Sequence, residues 1–414
     1  MTETRDPRDD KTPEDVPHFV SDAPFDPDIE VVLTEEQEKY YMASQWRLMW
    51  WKLRRHKIAV AAGIFLLLMY LIAVFAEVVA PYELQHRDVR HTFAPPQGIH
   101  LFHEGKLVGP FVYGFTSKRD PETLQKIYTA DKSKVNRIRF FCAGGYRGSE
   151  YEFWGLFKGD FHLICPESNR KPVFLLGTDR LGRDMFSRIV YGSRISLTIG
   201  LIGIVLSFTL GIVIGGIAGF YGGIVDNLIQ RLIEILKSFP RLPLWMALSA
   251  ALPAKWSPVY IYFGITLILA MLDWPSLARA VRSKLLSLRE EDFAVAANLM
   301  GASTKRIIGK HLVPSFASHL IASASLAIPE MILGETALSF LGLGLRPPVT
   351  SWGVLLNEAQ NIQVVVLYPW LMAPMIPVIL GILALERGEG QDLLHPVGPV
   401  PKHHNPVQVV AVWG

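Results

Sequence analysis

The run from Ile58 to Ala76 holds 19 residues without a single charge. As a helix it would be about 28 Å long, close to the roughly 30 Å of a bilayer's hydrocarbon core, so it commits the chain to a membrane. Trp46, Trp50 and Trp51 stand just before it, together with Arg47, Lys52, Arg54, Arg55 and Lys57. Interfacial aromatics and a basic flank mark the cytoplasmic side of a span, so the amino terminus is expected in the cytoplasm. Further apolar runs follow at 195–221, 242–252, 259–271, 316–343 and 364–385, giving six expected spans. The third and fourth are short, with Glu234, Lys237, Arg241 and Asp273 at their flanks. Tilt, helical extension or contact with other subunits would have to complete them. Half of the residues are hydrophobic and only 19% are charged, which sets the chain apart from soluble chains of 414 residues. The expected fold class is an all-α polytopic membrane protein.

Six crossings from a cytoplasmic start leave both termini, and the segment between the fourth and fifth runs, in the cytoplasm. That segment is basic, with Arg279, Arg282, Lys284, Arg289, Lys305, Arg306 and Lys310. The connections at 253–258 and 344–363 carry only Lys255 and Arg346, as the positive-inside rule asks. Arg180, Arg183, Arg188 and Arg194, on the opposite side, run against it. Asp179 and Asp184 offset part of that charge, and long translocated regions obey the rule weakly. Residues 1–45 are acidic, contain several prolines and lack apolar periodicity, so they are expected to form a disordered cytoplasmic tail. They lack the pattern of a cleaved secretory signal, so the first run, within 46–80, is expected to be retained as a span.

Within the spans, Gly211, Gly215 and Gly219 form overlapping small-xxx-small repeats that let helix backbones approach closely in lipid. Pro329 is expected to kink the fifth run. Glu330 and Glu335 in the same run are costly in hydrocarbon, so they are expected to face a polar cavity or a partner subunit. Asp273, beside Trp274 and Pro275, is expected at a membrane–water boundary.

The basic segment also has internal order. Phe293, Ala296, Ala297 and Met300 recur at helical spacing, preceded by Glu291 and Asp292. Gly301 breaks that run, either as a plain helix C-cap or as part of a docking element. A second helical piece is expected over 302–312, ended by Pro314. Helix, turn, helix on a membrane surface resembles the cytoplasmic coupling loop of ABC importer permeases: two alanines, three residues, a glycine, then about ten residues to a hydrophobic-x-Pro ending. Ala296, Ala297, Gly301 and Pro314 fall on that pattern, with Ala302 following the glycine. Val295 stands where a glutamate often precedes the alanines, a departure usual in the peptide-type branch.

Two longer strings sharpen the resemblance. LLGTDRLGRDMFSRIVYGSRISL, from Leu175 to Leu197, resembles the lead-in to the second span of dipeptide and oligopeptide permeases. FLGLGLRPPVTSWG, from Phe340 to Gly353, resembles the outer loop after their fifth span, and the order along the chain agrees. The resemblance covers the first span and a core at 175–385 whose coupling loop is 279–314. It implies one of two related permease subunits in a bacterial inner membrane, of the second (C-type) kind. Its partners would be a second homologous permease, two ATP-binding subunits and a periplasmic solute-binding protein. ATP and magnesium would sit on the ATPases, and this chain would bind no cofactor. Peptides are the expected cargo; nickel, oligosaccharides and opine-like solutes are served by the same group and stay open.

An insert at 81–174 separates the first two spans, rich in Phe, Tyr, Gly and basic residues, and is expected to be a small β-rich extracytoplasmic domain. It holds both cysteines, Cys142 and Cys165, which would either be bonded in an oxidising compartment or lie buried and unpaired. Their spacing does not suit zinc, although His162 is near, and no metal is expected. The chain has no phosphate-binding G-x-x-x-x-G-K-[ST], no H-E-x-x-H and no G-x-S-x-G, so no catalytic residues and no ATP hydrolysis are expected. A net charge of +3 gives no reason to expect a nucleic-acid partner. No internally repeated halves of the kind common in secondary transporters are visible, though that class remains the alternative. The tail at 386–414, with His403 and His404, departs from the family's usual ending. A shifted reading frame and an ordinary divergent tail both account for it.

Overall fold

The computed structural model describes residues 56–122, 125–253 and 255–387, with Ala43, Arg47, Trp50, Trp51 and Arg54 before them. The acidic tail at 1–42 and the tail beyond Arg387 lie outside the described residues. The described residues fall into two units, divided between positions 55 and 56. In the first, the Arg47 guanidinium lies over the Trp51 ring at 4.9 Å and Arg54 over Trp50 at 5.5 Å, an aromatic–basic pairing suited to a membrane surface.

The second unit is helical with an inserted sheet. Its long helices are α1 (Lys57–Val74), α3 (Met185–Tyr221), α6 (Pro258–Leu288), α8 (Ala317–Phe340) and α11 (Met375–Arg387). Shorter ones are α2 (Ala76–Val79), α4 (Gly223–Ser238), α5 (Arg241–Ala250), α7 (Asp292–Leu299), α9 (Trp352–Asn357) and α10 (Ile362–Leu367). Among the described residues, five helical stretches are long and apolar enough to cross a membrane: α1, α3, α6, most of α8, and 369–387, which ends in α11.

The expected crossing at 242–252 corrects to a broken one. α5 alone is only 10 residues long. However, Asp226 of α4 is ion-paired with Arg282 near the 288 end of α6, while Ser249 of α5 donates to the Leu343 carbonyl beyond the 340 end of α8. α4 and α5 thus traverse the bundle as two pieces, about 40 Å of helix interrupted at Phe239–Pro240. Pro240 lacks the N–H that would continue the ladder.

Small residues set the main helix contact. A Cβ on Gly211 would lie 2.8–3.0 Å from the Leu277 side chain, and one on Gly215 2.9 Å from Ala278 Cα. At Gly219 it would lie 2.9 Å from the Arg282 carbonyl oxygen and from Leu285 Cβ. All three glycines therefore face α6, where α3 runs closest. α8 crosses the other face of α3: a Cβ on Gly200 would meet Ile332 and Ile328 at 3.0–3.2 Å. α1 packs through Met69 and Ala73 against Leu197, Ile332 and Val378.

The insert is a four-stranded antiparallel sheet, β1 (His100–His103), β2 (Lys106–Arg119), β3 (Lys126–Ala143) and β6 (Phe161–Pro166), in the order β1-β2-β3-β6. A separate hairpin, β4 (Tyr151–Phe153) and β5 (Phe157–Gly159), interrupts the link from β3 to β6. Cys142 on β3 and Cys165 on β6 are joined by a disulfide, their Cα atoms 6.5 Å apart. They share a small core with Tyr82, Tyr146 and Phe174. His162 is fully buried between the Ala80 and Ser149 carbonyl oxygens, at 2.6 and 2.7 Å, which ties the sheet to the end of α2.

Of the four arginines that ran against the positive-inside rule, Arg183, Arg188 and Arg194 are compensated. Asp179 takes Arg183 Nε and Arg188 Nη1, both at 2.6 Å, and the backbone N–H groups of Leu181 and Arg183 at 2.8 Å. Glu358 reaches the same two guanidinium groups at 3.3 and 3.1 Å. The turn closes around Gly182 at φ +75, where a side chain would run into the Asp88 backbone. Asp184 then caps α3, accepting from the Ser187 N–H and hydroxyl at 2.7 Å.

Complete burial, with the Asp179 charge nearby, outweighs those bonds and pushes the Asp184 carboxyl up to about 7. A carboxyl raised in the folded state stabilises at low pH, and that stability is lost between about pH 4 and 7. Asn keeps the cap without the charge. Asp184→Asn is therefore expected to melt above wild type, by a margin that widens from pH 5 to 7 and is flat beyond. Thermal unfolding across that range checks it; a pH-independent margin would contradict the assignment.

Candidate functional site

Between α6 and α8 the chain forms a helix, a tight turn and a second helical piece. Glu291 has the extended backbone of an N-cap, and Asp292 opens α7 where the helix dipole favours an acid. Both are exposed. α7 ends in a Schellman turn: the Ala302 N–H donates to the Ala297 carbonyl at 3.1 Å and the Gly301 N–H to that of Asn298 at 2.9 Å. Gly301 sits at φ +79, with nothing within 4 Å of where a Cβ would be. Glycine is needed there for its backbone, since an L side chain would cost about 1 kcal/mol in that conformation.

The inner face of α7 differs from the sequence expectation. Of Phe293, Ala296, Ala297 and Met300, only Ala297 is buried; its partner is Ala294. These two alanines join one core with Leu277, Val281 and Leu285 of α6, Ile307, Leu312, Phe316, and Leu320 of α8. Small side chains let α7 lie close against that core, and this turns the larger ones outward. Phe293, Val295, Leu299 and Met300 are exposed, the last two by 83% and 81%. Exposed apolar side chains on the outer side of a helix that is anchored from below have the form of a docking surface.

The second piece starts at Thr304, after extended Ser303, and runs to Ser315 instead of stopping before Pro314. Its middle, Ile307–Leu312, is π-helical. The wider turn comes just ahead of Pro314, which cannot donate to an α-helical ladder. The chain breaks at Phe316, and Pro314 itself is exposed.

A second group of polar residues lies within the bundle. Glu330, midway along α8, pairs with Arg241 at the start of α5; Arg241 is also 3.6 Å from Asp273 and 3.5 Å from the Ser276 hydroxyl on α6. Arg241 and Glu330 are about half exposed, whereas Asp273 is mostly covered. Asp273 is thus a member of this cluster, beside a mid-helix glutamate, and not a boundary residue. Exposed charges on such helices need a polar cavity or another subunit beside them. Arg241 and the Asp226–Arg282 pair were missed as functional candidates. Sequence showed only that 241 flanks an apolar run.

Glu335 has another role from the one expected. It is fully buried and accepts from Ser351 at 2.6 Å, Ser339 at 2.8 Å and Ser196 at 3.1 Å. Ser196 also accepts from the Trp352 N–H at 3.1 Å. The carboxylate therefore holds α3, α8 and the 340–353 connection together, and it faces neither a cavity nor a free surface. Gly353 makes the close approach possible, since a Cβ there would lie 2.8 Å from Ser339 Cβ. Pro329 lies inside α8 without ending it.

Residues 211–386 match the model for binding-protein-dependent transport system inner membrane components, and 44–96 match the N-terminal transmembrane domain of oligopeptide transport permease C. A dipeptide transport system permease of Alkalihalophilus pseudofirmus is 37% identical over 223 residues, covering 53% of this chain and 71% of that protein. The chain belongs to this permease family. The dipeptide permease DppC of Bacillus subtilis is 37% identical over 182 residues, which span 44% of this chain and only 55% of the relative. The oligopeptide permease OppC of Haemophilus influenzae is 36% identical over 214 residues, 51% of this chain and 66% of the relative. The matched core contains the glycine row, the α7 turn and the Arg241–Asp273–Glu330 cluster, all within 211–386. Most of the insert, from 97 onward, falls between the two matched regions.

Proposed function

We propose that this chain is one permease subunit of an ATP-driven importer for peptides. It would pair with a second homologous permease, two ATP-binding subunits that carry ATP and magnesium, and a periplasmic solute-binding protein. The amino terminus and the α7 loop face the cytoplasm, and the insert faces the periplasm.

The observation that carries this reading is the exposed apolar set Phe293, Val295, Leu299 and Met300, spread over the outer side of a helix whose buried alanines share a core with α6 and α8. A force on α7 passes directly into two spans, because packed side chains transmit displacement without much yielding. Alternating access follows if ATP-driven closure moves α7 and swings α6 and α8 relative to α3. The Arg241–Asp273–Glu330 cluster then supplies polar lining for a zwitterionic cargo. Peptides are proposed because relatives of this chain are named as dipeptide and oligopeptide permeases.

Affinity purification from gently solubilised membranes tests the assembly. Wild type is expected to bring down the second permease and the ATPases. Gly301→Trp, which forces a bulky side chain into a left-handed turn at the docking end, is expected to keep the permease partner and lose the ATPases. Wild type purifying alone, under conditions that hold a known importer together, would contradict the proposal.

A further inference from the structure

We infer that the β4–β5 hairpin of the insert is a membrane-interface anchor, seated in the headgroup and upper acyl region of the bilayer beside α1. Its height is fixed by direct bonds to the end of a span. Trp154 Nε1 donates to the Val74 carbonyl oxygen at 3.1 Å, and the Trp154 N–H donates to Glu77 Oε1 at 3.2 Å. Phe153 stacks on Phe75 with ring centroids 6.1 Å apart. Val74 is the last residue of α1, so the hairpin tip lies where the 18-residue apolar helix leaves the hydrocarbon.

The same point is braced from α3. Arg194 bonds Glu77 at 2.5 and 2.7 Å and caps α1 through the Ala73 and Val74 carbonyl oxygens, both at 3.0 Å. Its guanidinium lies 4.0 Å from the Trp154 ring centroid. Trp154 is held at φ +52, a conformation a bulky residue rarely adopts. With Gly155 at φ +70 it makes a tight reversal that turns the next two side chains outward. Leu156 and Phe157 are then 75% and 69% exposed, flanked by exposed Glu152 and Lys158.

This exposed pair continues an apolar surface that already meets lipid. α1 is the least covered of the five long helices, with Leu67, Leu68, Leu71, Val74 and Phe75 open along it. Aromatic and aliphatic side chains with charged flanks, at the end of a lipid-facing span, match the composition of a bilayer interface. The occupant is therefore lipid and not a soluble partner, which would need a surface clear of the membrane plane.

Depth measurement on the full-length chain in lipid nanodiscs tests this. The native cysteines are bonded to each other, so a nitroxide can be placed at Leu156→Cys or Phe157→Cys alone, with Lys132→Cys on exposed β3 as the aqueous reference. The expected result is an oxygen-to-nickel-chelate collision ratio several-fold higher at 156 and 157 than at 132. Equal ratios at all three sites would place the hairpin in water and overturn the inference. Low accessibility to both reagents at 156 and 157 would place it against protein and overturn it equally. Both labelled residues are exposed, and two sites are used so that a folding defect in one variant leaves the other to decide.

Discussion

Gly215→Leu is expected to eliminate the folded permease, not merely to weaken it. A Cβ at 215 would stand 2.9 Å from Ala278 Cα, so the obstacle is backbone, which no rotamer change can move. Overpacking usually costs about 1–3 kcal/mol where neighbours can adjust, and more where they cannot. The helices would have to separate along the contact between α3 and α6, which also aligns Asp226 and Arg282. The series should be graded. Gly211→Ala, opposite the movable Leu277 side chain, should be mild, and Gly215→Ala worse. Gly63→Leu, on α1 with nothing within 4 Å, should be silent. Yield of monodisperse protein by size-exclusion chromatography in detergent reads the series; a Gly215→Leu variant as abundant as Gly63→Leu would refute the packing argument.

Leu299→Asp combined with Met300→Asp is expected to abolish transport while leaving the chain intact. Both side chains are over 80% exposed, so the fold loses almost nothing. If docking buries them, the pair forfeits about 3–6 kcal/mol of apolar contact, on the order of 100-fold to 10,000-fold in affinity. Uptake by proteoliposomes should fall to background, with normal membrane insertion and normal yield. Ala294→Asp would fail differently, because it places a charge in the core shared by α6, α7 and α8 and should reduce yield.

Much of this was readable from residue order where one local rule decided the outcome. α1, α3 and α8 announce themselves as long apolar runs, and the glycine row points to a close helix contact because small residues at every fourth position share one helix face. Gly301 was legible as a break. What sequence could not supply was partners. α4 looks amphipathic because of Asp226, Arg231 and Glu234, and it becomes half of a crossing only once Arg282, 56 residues later, neutralises Asp226. Arg183, Arg188 and Arg194 looked misplaced because Glu358 and Glu77, which take up part of their charge, lie far off in the chain. By the general cost of a carboxylate in lipid, Glu335 reads as facing a polar cavity or a partner subunit. Three serines from separate elements make it a structural hub instead. The orientation of α7 depended on how near α6 comes, a distance that periodicity does not encode.

The most direct test of the coupling surface is a cross-link from Met300→Cys. With the native cysteines bonded to each other, this thiol is the single free one in the chain. A short thiol-to-amine cross-linker, added to inverted membrane vesicles carrying the assembled importer, should join this chain to an ATPase subunit. The yield should change with ATP, and the product should be absent from intact cells treated with an impermeant reagent. A thiol at 300 that reacts from outside intact cells would contradict the account, as would one that never meets an ATPase while wild-type transport persists.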